Sequence, residues 1–207
     1  MSDVNVLVTY YSATGSVHRM AQAAVVGAEK AGGEVRLRKV HELAPREAIA
    51  SNEGWSRHAL DTEAVREVAL EDLEWADVLL FGTPTRFGVM SAQMKQFIDE
   101  TGPLWAQGKL VNKVMAGFVS TGTAHGGHET TLLSLFNVGY HWGCILVPPG
   151  YADPVQFKAG NPYGASHTSA NGRDLPTEVE LEAVEFTARR ATEVGAAIRR
   201  GLLLASA

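Results

Sequence analysis

Apolar runs recur along this chain at a spacing that leaves room for a helix after each. Val4–Tyr10, Glu34–Val40, Asp77–Phe81, Lys113–Val119 and Cys144–Val147 are short and rich in β-branched residues, and they read as strands. Between them the apolar period lengthens. Val17, Met20, Ala21, Ala24, Val25 and Ala28 share one face of a helix over Val17–Ala31. Further helices are predicted over Glu63–Leu70, Ser91–Glu100 and Glu129–His141. A last one runs from about Glu178 to Arg200, with Leu181, Val184, Ala188, Ala191, Val194 and Ile198 on its apolar face. Thr177–Glu180 has the form of its capping box, with Pro176 just before. Alternating strands and helices predict an α/β sandwich on a parallel sheet.

The 207 residues make one domain, 1–207, large enough for a core that needs no disulfide or metal. Two stretches exceed a minimal fold of this kind. Residues 41–62 carry Pro45, Asn52, Gly54 and Trp55, and residues 148–176 carry Pro148, Pro149, Pro154, Pro162 and Pro176 among several glycines. Both read as long loops, and loops of that length usually carry function. Tyr151, Phe157 and Tyr163 in the second argue for an ordered binding or subunit-contact segment. The net charge of −5 and the scattered basic residues argue against nucleic acid as a partner. The one cysteine, Cys144, sits in an apolar run and reads as a small buried side chain. No apolar stretch nears the length of a membrane span, so no membrane insertion and a cytoplasmic location are expected.

The first strand runs straight into Ser12–Ala13–Thr14–Gly15–Ser16, and a helix begins at Val17. Free N–H groups and the positive dipole end at a helix start suit a phosphate. Ser12, Thr14 and Ser16 add hydroxyls, and the loop has no Lys or Arg. Neither the nucleoside-triphosphate loop nor the dinucleotide fingerprint is present. A neutral cradle of this kind fits one phosphomonoester, such as that of FMN. Five strands with this loop after the first predict a flavodoxin-like three-layer sandwich, sheet order 2-1-3-4-5, binding ligand beyond the strands' carboxyl ends. The third strand leads into Gly82–Thr83–Pro84–Thr85–Arg86–Phe87–Gly88, and the fourth into Ser120–Thr121–Gly122–Thr123–Ala124–His125–Gly126–Gly127. All three loops meet at that edge. Their glycines let backbone approach a flat ring closely. A phosphate clamp with backbone donors and a ring wall is what a flavin needs.

The run Gly82–Ser91 resembles the signature of the WrbA family of flavodoxin-like NAD(P)H:quinone oxidoreductases. Thr101–Gly102–Pro103–Leu104–Trp105, Ser120–Thr121–Gly122–Thr123 and Pro162–Tyr163–Gly164–Ala165 resemble it too, in the same order and spacing. The resemblance implies FMN as cofactor, NADH or NADPH and quinones as substrates, and a homotetramer. It assigns Ser12–Val17 to the phosphate, and Pro84, Thr85, Arg86, Phe87 and Gly88 to the ring by backbone contacts. Ser120, Thr121, Gly122, Thr123 and Gly126 surround ring and ribityl chain, either His141 or Trp142 takes the place of the family histidine near the flavin, and Trp105 walls the substrate site. Two departures stand out. The family loop reads Ser-Met-Tyr-Gly-His where this chain has Ser12–Ser16, and His141–Trp142–Gly143 replaces a usual His-His-Gly.

The other candidate chemistry is thin. His125 and His128 have no third ligand at a suitable spacing, so no metal is expected. No Ser-His-Asp or Cys-His pattern supports hydrolysis. The two-electron reduction of quinones by a ping-pong route is the leading expectation. A flavodoxin-like electron carrier or regulatory flavoprotein without NAD(P)H activity is the alternative, and the long 148–176 segment argues against a carrier.

Overall fold

The computed structural model describes residues 4–205. In chain order its elements are β1 (Asn5–Tyr10), α1 (Ser16–Lys30), β2 (Glu34–Lys39), α2 (Arg46–Ala50), α3 (Glu53–Asp61), α4 (Leu70–Trp75), β3 (Val78–Arg86) and β4 (Val89–Met90). Then follow α5 (Ala92–Glu100), α6 (Gly102–Ala106), β5 (Val114–Thr121), α7 (His128–Trp142), β6 (Ile145–Leu146), α8 (Pro154–Ala159), β7 (Ala165–Thr168) and α9 (Glu178–Ala205). The parallel sheet runs β2-β1-β3-β5-β6, the expected flavodoxin-like order by position. Two strands are added. β4 folds back on β3 as a hairpin, and β7 pairs with β5.

The apolar periodicities place the layers. Val6, Val8 and Tyr10 of β1 face one cluster with α1 and α9, including Met20, Ala24, Val184 and Ala191. Leu7 of the same strand faces the other cluster, with Leu79, Phe81, Met94, Leu132 and Trp142. Alternate residues of one strand thus enter opposite layers, as the pleat requires. Thr177 N–H donates to the Glu180 carboxylate (2.7 Å) and Glu180 N–H to the Thr177 hydroxyl (3.3 Å), so the capping box forms as read.

Several expectations are corrected. The segment Glu63–Leu70 is not a helix. It is a turn followed by extended chain, with Glu67 bridged to Lys39 and Val68 N–H bonded to the Lys39 carbonyl (2.9 Å). Residues 41–62 are not plain loop, since they hold α2 and α3. Pro45 and Asn52 are helix starts, and the Asn52 side chain accepts from Trp55 N–H (3.0 Å). Residues 148–176 contain α8, started by Asp153 and Pro154, and β7. The fifth sheet position is therefore split. β6 pairs with Val114–Met115 and β7 with Phe118–Thr121, and the chain leaves the sheet between them.

The edge strand β2 is tied to α4 by a buried carboxylate. Asp72 accepts from Arg36 (3.0 Å), from Arg38 Nε (3.0 Å) and from Ala69 N–H (3.2 Å). The Arg36 guanidinium lies 3.8 Å above the Trp75 ring. Burial alone would raise the Asp72 carboxyl, but these hydrogen bonds and the Arg38 charge outweigh it and hold the group below the ordinary value.

Candidate functional site

The carboxyl ends of β1, β3 and β5 converge on one cavity of about 430 Å³. Ser12, Ala13, Thr14, Ser16 and Val17 form one wall, Pro84–Phe87 a second, and Ser120–Gly122 a third. Three successive strand ends can meet this way because the sheet places β3 between β1 and β5.

The loop after β1 is held by its own atoms. The Ser12 hydroxyl accepts from Gly15 N–H (3.1 Å), which leaves its proton free for a ligand. Gly15 begins α1 in the left-handed conformation (φ 101°), so the N–H groups of Ser16 and Val17 open the helix with no carbonyl to receive them. Outside the loop stands His58 of α3, whose Nδ1 would lie 3.6 Å from a methyl group on Gly15. Burial first, then the neighbouring His18 and Lys39, push the His58 imidazole down to about 4. The loop after β1 is thus flanked by a neutral ring, and Arg86 is the charged residue on the cavity wall.

The loop expected after the third strand is instead the end of a long strand. β3 continues to Arg86 and turns at Phe87–Gly88 into β4. Both turn residues have positive φ (54° and 82°), the requirement of a two-residue hairpin of this hand. Glycine meets it freely, but phenylalanine does not, and the Phe87 side chain is fully exposed. The Phe87 side chain is thus held out beside the cavity on a strained turn, where it adds nothing to the core. Thr85 reaches the Thr131 hydroxyl on α7, which fixes the hairpin's base.

A fourth wall has no counterpart in the expectations. Ser169, Asn171 and Gly172, from the turn after β7, also line the cavity. A methyl on Gly172 would lie 3.3 Å from the Thr14 hydroxyl, and one on Gly122 would fall on the Asn171 amide oxygen. The turn therefore touches both the phosphate loop and the end of β5. The Asn171–Gly172 pair is an ordinary turn signal, but nothing in the sequence shows which sheet edge it reaches.

The remaining expected residues are placed as follows. Gly15, Gly88, Thr123 and Gly126 support the loops without lining the cavity. Trp105 and His141 lie together, the indole N–H donating to the His141 carbonyl (3.0 Å), but they line a different hollow with Ile98 and Trp142. Trp142 itself is buried, its ring 6.1 Å from that of Phe81. His128 is buried, and its Nε2 bonds the Thr121 hydroxyl (2.8 Å) and the His167 carbonyl (3.1 Å). Burial raises the Cys144 thiol to about 12, which removes it as a nucleophile at neutral pH. Among the described residues no helix is long and apolar enough to cross a membrane.

Residues 3–156 match a family described as NADPH-dependent FMN reductase. A protein from Deinococcus radiodurans named NAD(P)H dehydrogenase (quinone) is 44% identical, over 93% of this chain and 96% of that one. One of the same name from Sinorhizobium fredii is 41% identical, over 92% and 96%. The solved structure of a WrbA-like flavodoxin from Agrobacterium tumefaciens superposes with a TM-score of 0.64 at 27% identity, over 93% of this chain and 97% of that one. The chain belongs to the NADPH-dependent FMN reductase family.

Proposed function

We propose that this chain is an FMN-dependent oxidoreductase that reduces quinones with NADH or NADPH. The observation that carries this reading is one cavity joining a hydroxyl-rich loop and helix start to two further strand ends, in a chain of this family. The donor set fits a phosphomonoester, and the backbone of Thr85–Phe87 and of Ser120–Gly122 fits the edge of a flat ring. When bound, FMN supplies a ring that takes two electrons with a hydride and gives both to a quinone.

The chain's own residues bind and orient. Ser12, Thr14 and the start of α1 hold the phosphate. Phe87 and Arg86 stand where an incoming ring arrives, one as an apolar surface and the other as a charge for a phosphate or quinone oxygen. Nicotinamide and quinone are both flat and need the same face, so they use it in turn, and no side chain has to act as an essential acid. Purified protein should quench the fluorescence of added FMN, and NADH oxidation should then depend on benzoquinone. Double-reciprocal plots should be parallel. Loss of quinone-dependent turnover overturns the function, and intersecting lines overturn the alternation.

Trp105 and His141 reach a substrate only if their hollow faces the cavity of another copy. Exposed Trp105, Tyr140, Tyr151 and Phe157 support such an assembly, which we take to be the homotetramer. Trp105→Ala should then weaken use of both substrates several-fold, since a lost aromatic stack costs about 0.5–1.5 kcal/mol. FMN affinity and thermal stability should hold. Light scattering that shows a monomer at micromolar concentration, or a variant with unchanged kinetics, removes Trp105 from the site. One cysteine in the whole chain and the need for reduced nicotinamide support a cytoplasmic setting.

A further inference from the structure

The turn Ser169–Gly172 closes the cavity on the side of β7, and its backbone is not at rest. Ala170, Asn171 and Gly172 all have positive φ (46°, 60° and 83°). Glycine and asparagine adopt this region readily, but Ala170 does not, so it is strained and persists because its surroundings hold it. Ser169 is fastened to β5, its N–H and its hydroxyl both donating to the Thr121 carbonyl (2.8 and 3.0 Å). At the other end Asp174 N–H donates to the Ser169 carbonyl (3.0 Å), and a histidine ties this end to α9. His167 of β7 is buried, with Nε2 3.1 Å from the Asp174 carbonyl and Nδ1 3.1 Å from both carboxylate oxygens of Glu180 on α9.

Both ring nitrogens therefore face acceptors. A neutral imidazole carries one N–H and satisfies one of them, whereas the imidazolium satisfies both. Glu180 cannot supply the missing proton while ionised, and it accepts from the Thr177 N–H and hydroxyl (2.7 and 2.8 Å), which favours the carboxylate. The charged groups facing the ring are Glu180 and Asp174. His128 on α7 bonds the His167 carbonyl and not its ring.

We propose that His167 is a positioning residue for the flavin site: its imidazolium clamps Asp174 and Glu180 together and so holds the Ser169–Gly172 turn against the phosphate loop. This rests on the FMN reading of the cavity. Burial acts to lower the His167 value, but the hydrogen bond and charge of Glu180 and the contacts to Asp174 outweigh it, and the ring is held above the ordinary histidine value. The sign follows. The clamp is complete while His167 is protonated and is lost as pH rises through its raised value. One donor then disappears, Asp174 or Glu180 loses its partner, and the strained turn relaxes away from Thr14 and Gly122. Because FMN binds the closed turn, bound FMN in turn holds the proton on His167 more tightly.

The test is FMN affinity of the full-length protein from about pH 6 to about pH 9, for the wild type and for His167→Gln, which keeps one donor and cannot ionise. Wild-type affinity should fall at least about tenfold across the range, one unit of linked shift being a factor of ten. The variant should bind more weakly at the acid end and lose the pH dependence. Nitrogen-15 NMR of labelled histidine in the wild type supplies a readout that needs no variant. The His167 titration midpoint should lie above that of an unperturbed histidine, and it should rise further when FMN is added. Parallel affinity profiles for the two proteins, a midpoint not raised above the ordinary histidine value, or a midpoint indifferent to FMN each overturn the clamp. A wild type that binds no FMN at any pH overturns the cofactor assignment instead.

Discussion

Replacing Ser12 and Thr14 together by alanine should lower FMN affinity at least tenfold while leaving the fold intact. Charge-assisted hydrogen bonds of this type contribute about 1.5–3 kcal/mol each. The loop itself has no Lys or Arg, and among the described residues Arg86 across the cavity is the one cation lining the site. Ser12 uses only a lone pair on Gly15 N–H, and that small internal cost is separable by thermal melting of the apoprotein. FAD should bind much more weakly than FMN. Gly172 approaches the loop on one side and Gly54 and His58 on the other, which crowds a second phosphate. Fluorescence titration of both flavins against wild type and double variant checks each part. An unchanged FMN curve for the variant refutes the phosphate assignment.

The largest effect on stability is expected at Asp72. Asp72→Ala strands two arginines and uncaps α4. Removing one partner of a buried ion pair costs about 3–5 kcal/mol, and the lower end applies where the arginines stay near water. The melting temperature should drop by about 6–12 °C, at about 2–4 °C per kcal/mol for a chain of this size. The pH dependence has a definite sign. The folded value of Asp72 is depressed, so its contribution is complete above the unfolded value and disappears as pH falls through the folded one. The gap between wild type and variant should be full at neutral pH and narrow below about pH 4. Equal melting temperatures at pH 7 would show that β2 and α4 are held by packing alone.

The sequence revealed the layers because β1 and α1 state their periods plainly, and the last helix announces its start with Thr177 and Glu180. It revealed most of the cavity for the same reason: Ser12–Val17, Thr85–Phe87 and Ser120–Gly122 each follow a strand, and strand order alone brings them together. It misjudged Pro45, Asn52 and Pro154, which were read as loop breakers and are helix starts. The same residues serve both purposes, and only the tertiary contacts of the helices that follow decide between them. Glu63–Leu70 failed because Val65 fits a turn, and Val68 an extended chain beside the end of β2, as well as they fit a helix face. The Ser169–Gly172 wall was out of reach, since it depends on β7 returning to the sheet after the excursion that splits the fifth position.

That split governs how copies of this molecule can meet. A long, regular border strand offers a row of unused N–H and C=O groups, which invites a neighbour's strand to join and the sheet to grow without limit. Here one border is cut into a two-residue piece and a four-residue piece, with a folded excursion between them. The other, β2, is lined with Arg36, Arg38 and Lys39, and Lys39 at its end is already bridged to Glu67. Neither side can seed a continuous ribbon from chain to chain. Any contact between copies then falls to exposed side chains such as Tyr140, Tyr151 and Phe157 and not to strand pairing.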